Sequence, residues 1–243
     1  RHSFPTRRSS DLGKTKTRHE QVYLSLRGDI LAGRLLPGQK LPFADLSTRY
    51  GFSVGVIREA LSRLVEQGLV VNAPQQGFCV TPLSRVDLIN LTQARCEIET
   101  LTLRHAIAEG GIDWQSEVLA SHHRLANTPM MEAEDPERFS EDWAEAHRLF
   151  HETLLEGCDN PRLTGVATQL RASAELYRRW TAPLSEGKKR DTAAEHQRIV
   201  DAVMERNADL AVKLLDDHIA LTTKILLESG TVEETDQELS VSA

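Results

Sequence analysis

The sequence predicts a mainly α-helical protein in two parts: a three-helix N-terminal unit closed by a small β wing, then an all-α antiparallel bundle of six to seven helices. Three observations predict it. Between residues 20 and 82, three short apolar-striped segments are separated by glycine turns and followed by two brief β-prone runs around a polar turn. Beyond Thr81-Pro82 no strand-like alternation appears, only longer stretches of helical period. The charge divides at the same place, with a net +4 over residues 13–82 and a net −13 over residues 83–243. A basic unit on an acidic body assigns any polyanion partner to the N-terminal part.

The 243 residues suffice for one large domain or two small ones, and 40% hydrophobic with 27% charged residues is ordinary for a globular chain. No run approaches the ~20 apolar residues that cross a bilayer, and no secretory pattern is present. A cytoplasmic location without membrane contact is therefore expected. Cys79, Cys96 and Cys158 are scattered, which indicates neither a disulfide framework nor a thiolate metal site. Residues 1–12 match what a common sequencing adapter gives when translated, and are expected to be non-native. Residues 230–243 are polar and acidic without an apolar stripe, and are expected to form a disordered tail.

In the N-terminal unit, residues 13–82, Val22, Leu24, Leu26, Ile30 and Leu31 stripe a helix over Glu20–Leu31, closed by Gly33. Leu36-Pro37-Gly38 is a turn. A second helix covers Phe43–Tyr50, Gly51-Phe52 turns the chain, and Ser53 caps a third helix running to about Gly68. Two short helices joined by a tight glycine turn read as a helix-turn-helix. Leu69–Val71 and Phe78–Val80, around the polar turn Asn72 to Gly77, form the wing.

Pro37-Gly38, Leu41, Asp45-Leu46, Tyr50-Gly51, Ser53, Ile57-Arg58-Glu59-Ala60-Leu61, Leu64, Gln67-Gly68-Leu69-Val70 and Gln76-Gly77 resemble the DNA-binding domain of GntR-type transcription regulators. The resemblance implies that the start of the third helix enters the major groove and the wing tip approaches the minor groove. Ser53, Val54, Gly55 and Arg58 would then face DNA, with Gln76 and Gly77 at the wing tip. Helix N-termini offer free N–H groups to phosphates, and Arg can take a phosphate or a guanine edge. Val54 stands where the family usually has Arg, which removes one base-reading side chain.

The body, residues 83–229, reads as helices over Ser84–Glu109, Asp113–Asn127, Pro136–Glu156, Pro161–Trp180, Ser185–Arg206 and Ala208–Glu228. His147 and His151 lie four apart, so they share a helix face about 6 Å apart. Taken alone, they are equally a core pair or half of a metal site. His196 and His218, 22 residues apart on later segments, could join them. His122 and His123 point in different directions and are expected to be solvated; His105 and His19 suggest no partner.

Ala94-Arg95, Glu97, Glu99, Phe150-His151, Leu154, Asn160-Pro161-Arg162-Leu163, Glu195-His196, Ile199, the 208–215 run and His218 resemble the ligand-binding domain of FadR-like regulators with an FCD domain. That family binds one divalent metal through an Asp and three histidines; here His147 stands at the Asp position. The resemblance implies a metal on His147, His151, His196 and His218, and neutral imidazoles favour Zn²⁺, or Ni²⁺, over oxygen-seeking ions. It also implies a small carboxylate effector meeting the metal and an Arg. Arg95 is the candidate for that Arg, since guanidinium pairs bidentately with carboxylate, and Tyr177 is the candidate for a hydroxyl. The whole implies a homodimeric repressor on a near-palindromic operator, and not an enzyme. Two alternatives stay open: a regulator whose effector is the ion itself, and a metal-dependent hydrolase, although no HExxH motif is present.

Overall fold

The computed structural model describes residues 17–73, 77–133, 139–181 and 190–228. The expected adapter segment 1–12, the tail 230–243 and the wing-tip residue Gln76 lie outside the described residues. The order of elements is α1 (Arg18–Leu31), α2 (Phe43–Tyr50), α3 (Val54–Glu66), β1 (Val70–Ala73), β2 (Gly77–Val80), α4 (Arg85–Glu109), α5 (Ile112–Ala126), α6 (Glu141–Leu155), α7 (Pro161–Thr181), α8 (Thr192–Met204) and α9 (Ala208–Glu228).

The first five elements form the winged head. Helix α1 starts two residues earlier than its apolar stripe predicts, because the Thr17 side chain caps it by accepting from the Glu20 N–H. Gly51 closes α2 in the left-handed region (φ 73°), the conformation that makes the helix-turn-helix corner and that glycine adopts without Cβ strain. Leu26, Ile30, Ile57, Leu61 and Leu64 are fully buried where α1 crosses α3. Each such side chain contributes about 1.5–3 kcal/mol by leaving water. Strands β1 and β2 pair antiparallel from Val70↔Val80 to Ala73↔Gly77. The Leu41 N–H donates to the Phe78 carbonyl, anchoring the segment before α2 to the wing.

Among the described residues, the body is the six helices α4 to α9. Antiparallel α4 and α9 are pinned by the Thr92–Thr223 hydroxyl contact (2.6 Å) and by Arg104 on Asp209 (2.7 Å). Leu103, Val118, Phe150, Leu154, Ile199, Val203 and Leu215 make the bundle core. Two expected helix starts are corrected. Ser140, whose side chain accepts from the Trp143 N–H, caps α6, and Phe139 before it is bridged to Met131 in extended form rather than helical. Asp191 caps α8, which spans Thr192–Met204; residues 134–138 and 182–189 lie outside the described residues.

Helix α7 ties body to head. Its Leu176 is buried in the head's core, Ser173 Oγ donates to the Gln67 carbonyl (3.2 Å), and Gln169 Nε2 donates to the Glu66 carbonyl (3.0 Å). Tyr177 joins Leu88, Leu91 and Leu226 in a small third cluster beside the linker.

Candidate metal centre and nucleic-acid interface

Helix α6 buries Trp143, Ala144, His147, Phe150, His151 and Leu154, the i, i+3, i+4 pattern of a core-facing stripe, so its two histidines point inward with the apolar residues. His196 lies on the stripe of α8 that carries Ile199, Val200 and Val203 inward, and His218 on the stripe of α9 that carries Leu215 and Ile219. Three helices thereby bring four imidazoles together. All are buried, and one nitrogen from each lies within 4.8 Å of the others. The ring centroids of His147 and His151 are 4.6 Å apart, those of His196 and His218 are 4.8 Å apart, and Nε2 of His151 faces Nε2 of His196 at 3.3 Å.

Burial, reinforced by neighbouring cationic groups, holds His147, His151 and His196 well below the usual histidine range, and burial also lowers His218. They are therefore neutral near pH 7, with lone pairs available. Nδ1 of His147 and Nδ1 of His151 are buried without a hydrogen-bond partner among the described residues. Nδ1 of His218 lies 2.8 Å from Glu195 Oε2 and 3.1 Å from Arg190 Nη2; with Nδ1–H on the carboxylate, the Nε2 lone pair is left for a ligand. Arg190 grips the same Glu195 carboxylate at 2.6 and 2.8 Å and fixes it. Four neutral nitrogens this close, one with a carboxylate behind it, fit a divalent ion of intermediate softness.

Beside the histidines lies a cavity of about 330 Å³ between α4, α6, α7 and α9, which His147, His151 and His218 help to line. Four arginines also line it: Arg95, Arg171, Arg178 and Arg190. Each already holds a glutamate. Arg95 (2.6 Å) and Arg171 (2.8 Å) share the fully buried Glu99, while Arg178 shares Glu175 with Arg179. Burial alone would raise the Glu99 carboxyl, but the two arginines outweigh it and hold it below the usual carboxylate range. Nε of Arg171 and Nη1 of Arg178 are buried without a partner among the described residues. Phe139, Trp143 and His147 stack in sequence, at 5.2 and 4.9 Å, with Arg178 over the first two rings.

Of the expected effector residues, Arg95 reaches the cavity, already oriented by Glu99. Tyr177 does not. Its side chain is almost fully buried, and its hydroxyl donates to Asp87 Oδ2 (2.6 Å) and lies 3.2 Å from the Ser84 N–H, so it secures the linker instead. Arg171, Arg178, Arg190 and Glu195 were missed. Arg171, Arg178 and Glu175 repeat at helical spacing along α7, a signal present in the sequence but shared with many solvated faces. His122 is half-buried against Phe150 (5.4 Å) rather than solvated, and burial lowers its pKa. His105 pairs with Glu109 (2.8 Å) and His19 with Glu59 (2.5 Å).

At the head, Ser53, Val54, Gly55 and Arg58 are exposed together at the N-terminus of α3. Ser53 occupies the N-cap position without a side-chain cap bond, so the first-turn N–H groups receive no acceptor from it. The Arg58 guanidinium lies over the Phe43 ring (4.8 Å), held toward the outer face of α2 and α3 instead of pairing with Glu59. Gly77 is exposed at the start of β2 with φ +78°. A brace behind this face was not anticipated: Asp29 accepts from Arg34 (2.6 Å), Arg49 (2.7 Å) and the Tyr50 hydroxyl (2.5 Å), joining the end of α1 to the end of α2.

Comparison with known proteins agrees with both halves. Residues 18–80 match the profile of bacterial regulatory proteins of the gntR family, and residues 90–221 match the FCD domain. The chain is 35% identical over 211 residues to the HTH-type transcriptional regulator BphR of Paraburkholderia xenovorans, covering 87% of this chain and 86% of that protein. It is 32% identical to the HTH-type transcriptional repressor GlaR of Escherichia coli, covering 85% of this chain and 94% of that protein. In fold it resembles E. coli McbR/YncC, with a TM-score of 0.69, 21% identity and coverage of 86% and 97%. A GntR regulator from Rhodococcus sp. RHA1 is similar, at a TM-score of 0.67, 21% identity and coverage of 87% and 98%. No helix among the described residues is long and apolar enough to cross a membrane. With its winged head and its helical body each matched along their length, the chain belongs to the gntR family of bacterial regulatory proteins, in the group with a C-terminal FCD domain, and is a DNA-binding transcription regulator rather than an enzyme.

Proposed function

We propose that this regulator is a cytoplasmic homodimeric repressor whose operator affinity is set by a small carboxylate bound beside a divalent metal in the C-terminal domain. The observation that carries the reading is the cluster of four buried neutral imidazoles opening onto an arginine-lined cavity. His147, His151, His196 and His218 would hold the ion, Zn²⁺ first and Ni²⁺ second. When bound, it supplies a Lewis-acidic positive charge at the histidine end of the cavity. Arg95, oriented by Glu99, offers a carboxylate its second contact. GlaR is named a repressor, which supports that direction of control here.

On the DNA side, two copies would present Ser53, Val54, Gly55 and Arg58 to the two halves of a near-palindromic operator, with Gln76 and Gly77 at the wing tips. A metal-only sensor is the second reading, and the arginine-lined cavity disfavours it because an ion alone has no use for those guanidinium groups. The test is a thermal-shift and operator-binding series on zinc-loaded protein with small mono- and dicarboxylates. An acid that stabilises the wild type, weakens operator binding and does neither in Arg95→Ala supports the reading; if no carboxylate shifts the metal-loaded protein, the reading is wrong.

A further inference from the structure

The cavity is graded in polarity along its length, and the gradient runs the same way on two helices. Facing it from α4 are Leu88, Leu91, Thr92 and Arg95, in that order; facing it from α9 are His218, Ile219, Thr222, Thr223 and Leu226. The Thr92–Thr223 contact sets the antiparallel register, so Arg95 sits at the level of His218 and Leu88 at the level of Leu226. Leu88, Leu91 and Leu226 indeed cluster together, with Tyr177. From Leu88 to Arg95 the helix advances about 10 Å. One end of the cavity is thus cationic and imidazole-rich, the middle is threonine, and the far end is aliphatic.

The charges point the same way. At the cationic end one carboxylate, Glu99, serves two arginines, whereas Glu195 serves Arg190 and His218, and Glu175 serves Arg178 and Arg179, the latter also holding Glu141. Arg95 and Arg171 thus have one carboxylate between them, and among the described residues Nε of Arg171 is buried without a partner, as is Nη1 of Arg178. Leu88, Leu91 and Leu226 themselves offer no polar group to a ligand, and Arg178, which follows Tyr177 on α7 and also lines the cavity, is held by Glu175.

Resting on the carboxylate reading above, we propose that the effector is an amphipathic acid: one carboxylate taken by Arg95 and Arg171 beside the histidines, and an apolar body extending along Thr92 and Thr223 to Leu88, Leu91 and Leu226. The apolar end abuts Tyr177, whose hydroxyl holds Ser84 and Asp87 at the start of α4, so the tail of the ligand lies next to the link to the DNA-binding head.

The test is calorimetry on the zinc-loaded full chain with two probe series, straight-chain monocarboxylates of increasing length and α,ω-dicarboxylates of matched length. Affinity for the monocarboxylates should rise about fourfold per added methylene until the cavity is filled, and each diacid should bind more weakly than its monoacid. Leu226→Gln should flatten the length dependence while leaving short-acid binding intact. Thr223→Val, which keeps the side-chain shape but removes the hydroxyl contact to Thr92, should favour the longer acids severalfold, with circular dichroism checking that the fold is kept. Affinity that does not grow with length, diacids that bind better, or long-acid binding unaffected by both variants overturns the amphipathic assignment and leaves the carboxylate reading standing. Zinc-loaded protein that binds no acid of either series overturns both.

Discussion

Asp29 shows how one residue can decide whether the reading head keeps its shape. Burial alone would raise its carboxyl, but the hydrogen bonds from Tyr50 and Arg34 and the charges of Arg34 and Arg49 outweigh burial and lower it. A folded-state pKa below the unfolded one means that its contribution is whole above pH ~4 and is lost as pH falls through the folded value. Asp29→Asn should therefore cost about 2 kcal/mol at neutral pH, a difference from wild type that shrinks to nothing at low pH, as read by denaturant melts across pH. At the DNA face, Arg58→Ala should abolish specific operator binding in a gel-shift assay while the circular dichroism spectrum stays unchanged; retained affinity would move the DNA face elsewhere. His147→Asp should keep a metal bound but shift preference toward harder ions such as Mn²⁺, measured by competition and metal analysis. An unchanged preference would mean that His147 packs against Trp143 without ligating.

Helix α7 contacts the cavity with one stripe (Arg171, Ala174, Glu175, Arg178) and the head with another (Gln169, Ser173, Leu176). Gly68 of the head, with φ +69°, faces α7 so closely that an added Cβ would sit 2.3 Å from Ser173 Oγ. Gly68→Ala should destabilise by about 1–3 kcal/mol, from the left-handed backbone and the clash together. Adding Ser173→Gly should recover the clash and not the backbone part, which a double-mutant cycle separates. This dual role could not be read from the sequence. Periodicity located the helix from Pro161 within a residue, and the His147/His151 pair announced itself by its spacing. The partners of Arg171 and the burial of Tyr177 depend on contacts across 72 and 90 residues, for which no local pattern exists. The misjudged starts of α6 and α8 have a local cause: Ser140 and Asp191 cap by side-chain hydrogen bonds, whereas Pro136 and Ser185 also look like helix starts in one dimension.

For the whole molecule, the proposed circuit makes metal and acid separable inputs. An ion held by histidines from α6, α8 and α9 closes three helices around one point, so it should stabilise the native state by mass action, by about 4 kcal/mol at a thousandfold excess over its Kd. For a chain of this size that corresponds to a rise of roughly 10 °C in melting temperature. Chelation should remove the rise, and His196→Ala should lack it from the start. Operator binding should respond differently. Zinc alone should leave the proposed dimer on its operator, because the ion completes a cluster that is already assembled and lies away from α7's contacts with the head. The acid adds new contacts to Arg171 and to the Leu88–Leu226 end, on the same elements that hold Gln67 and Ser84, and so can bias the position of the head. A typical coupling of 1–3 kcal/mol predicts a 5- to 150-fold weaker operator affinity with zinc and acid together. Fluorescence anisotropy on labelled operator, with zinc and acid added in both orders, measures it. Operator release by zinc alone would transfer the regulatory role to the ion and leave the acid without one.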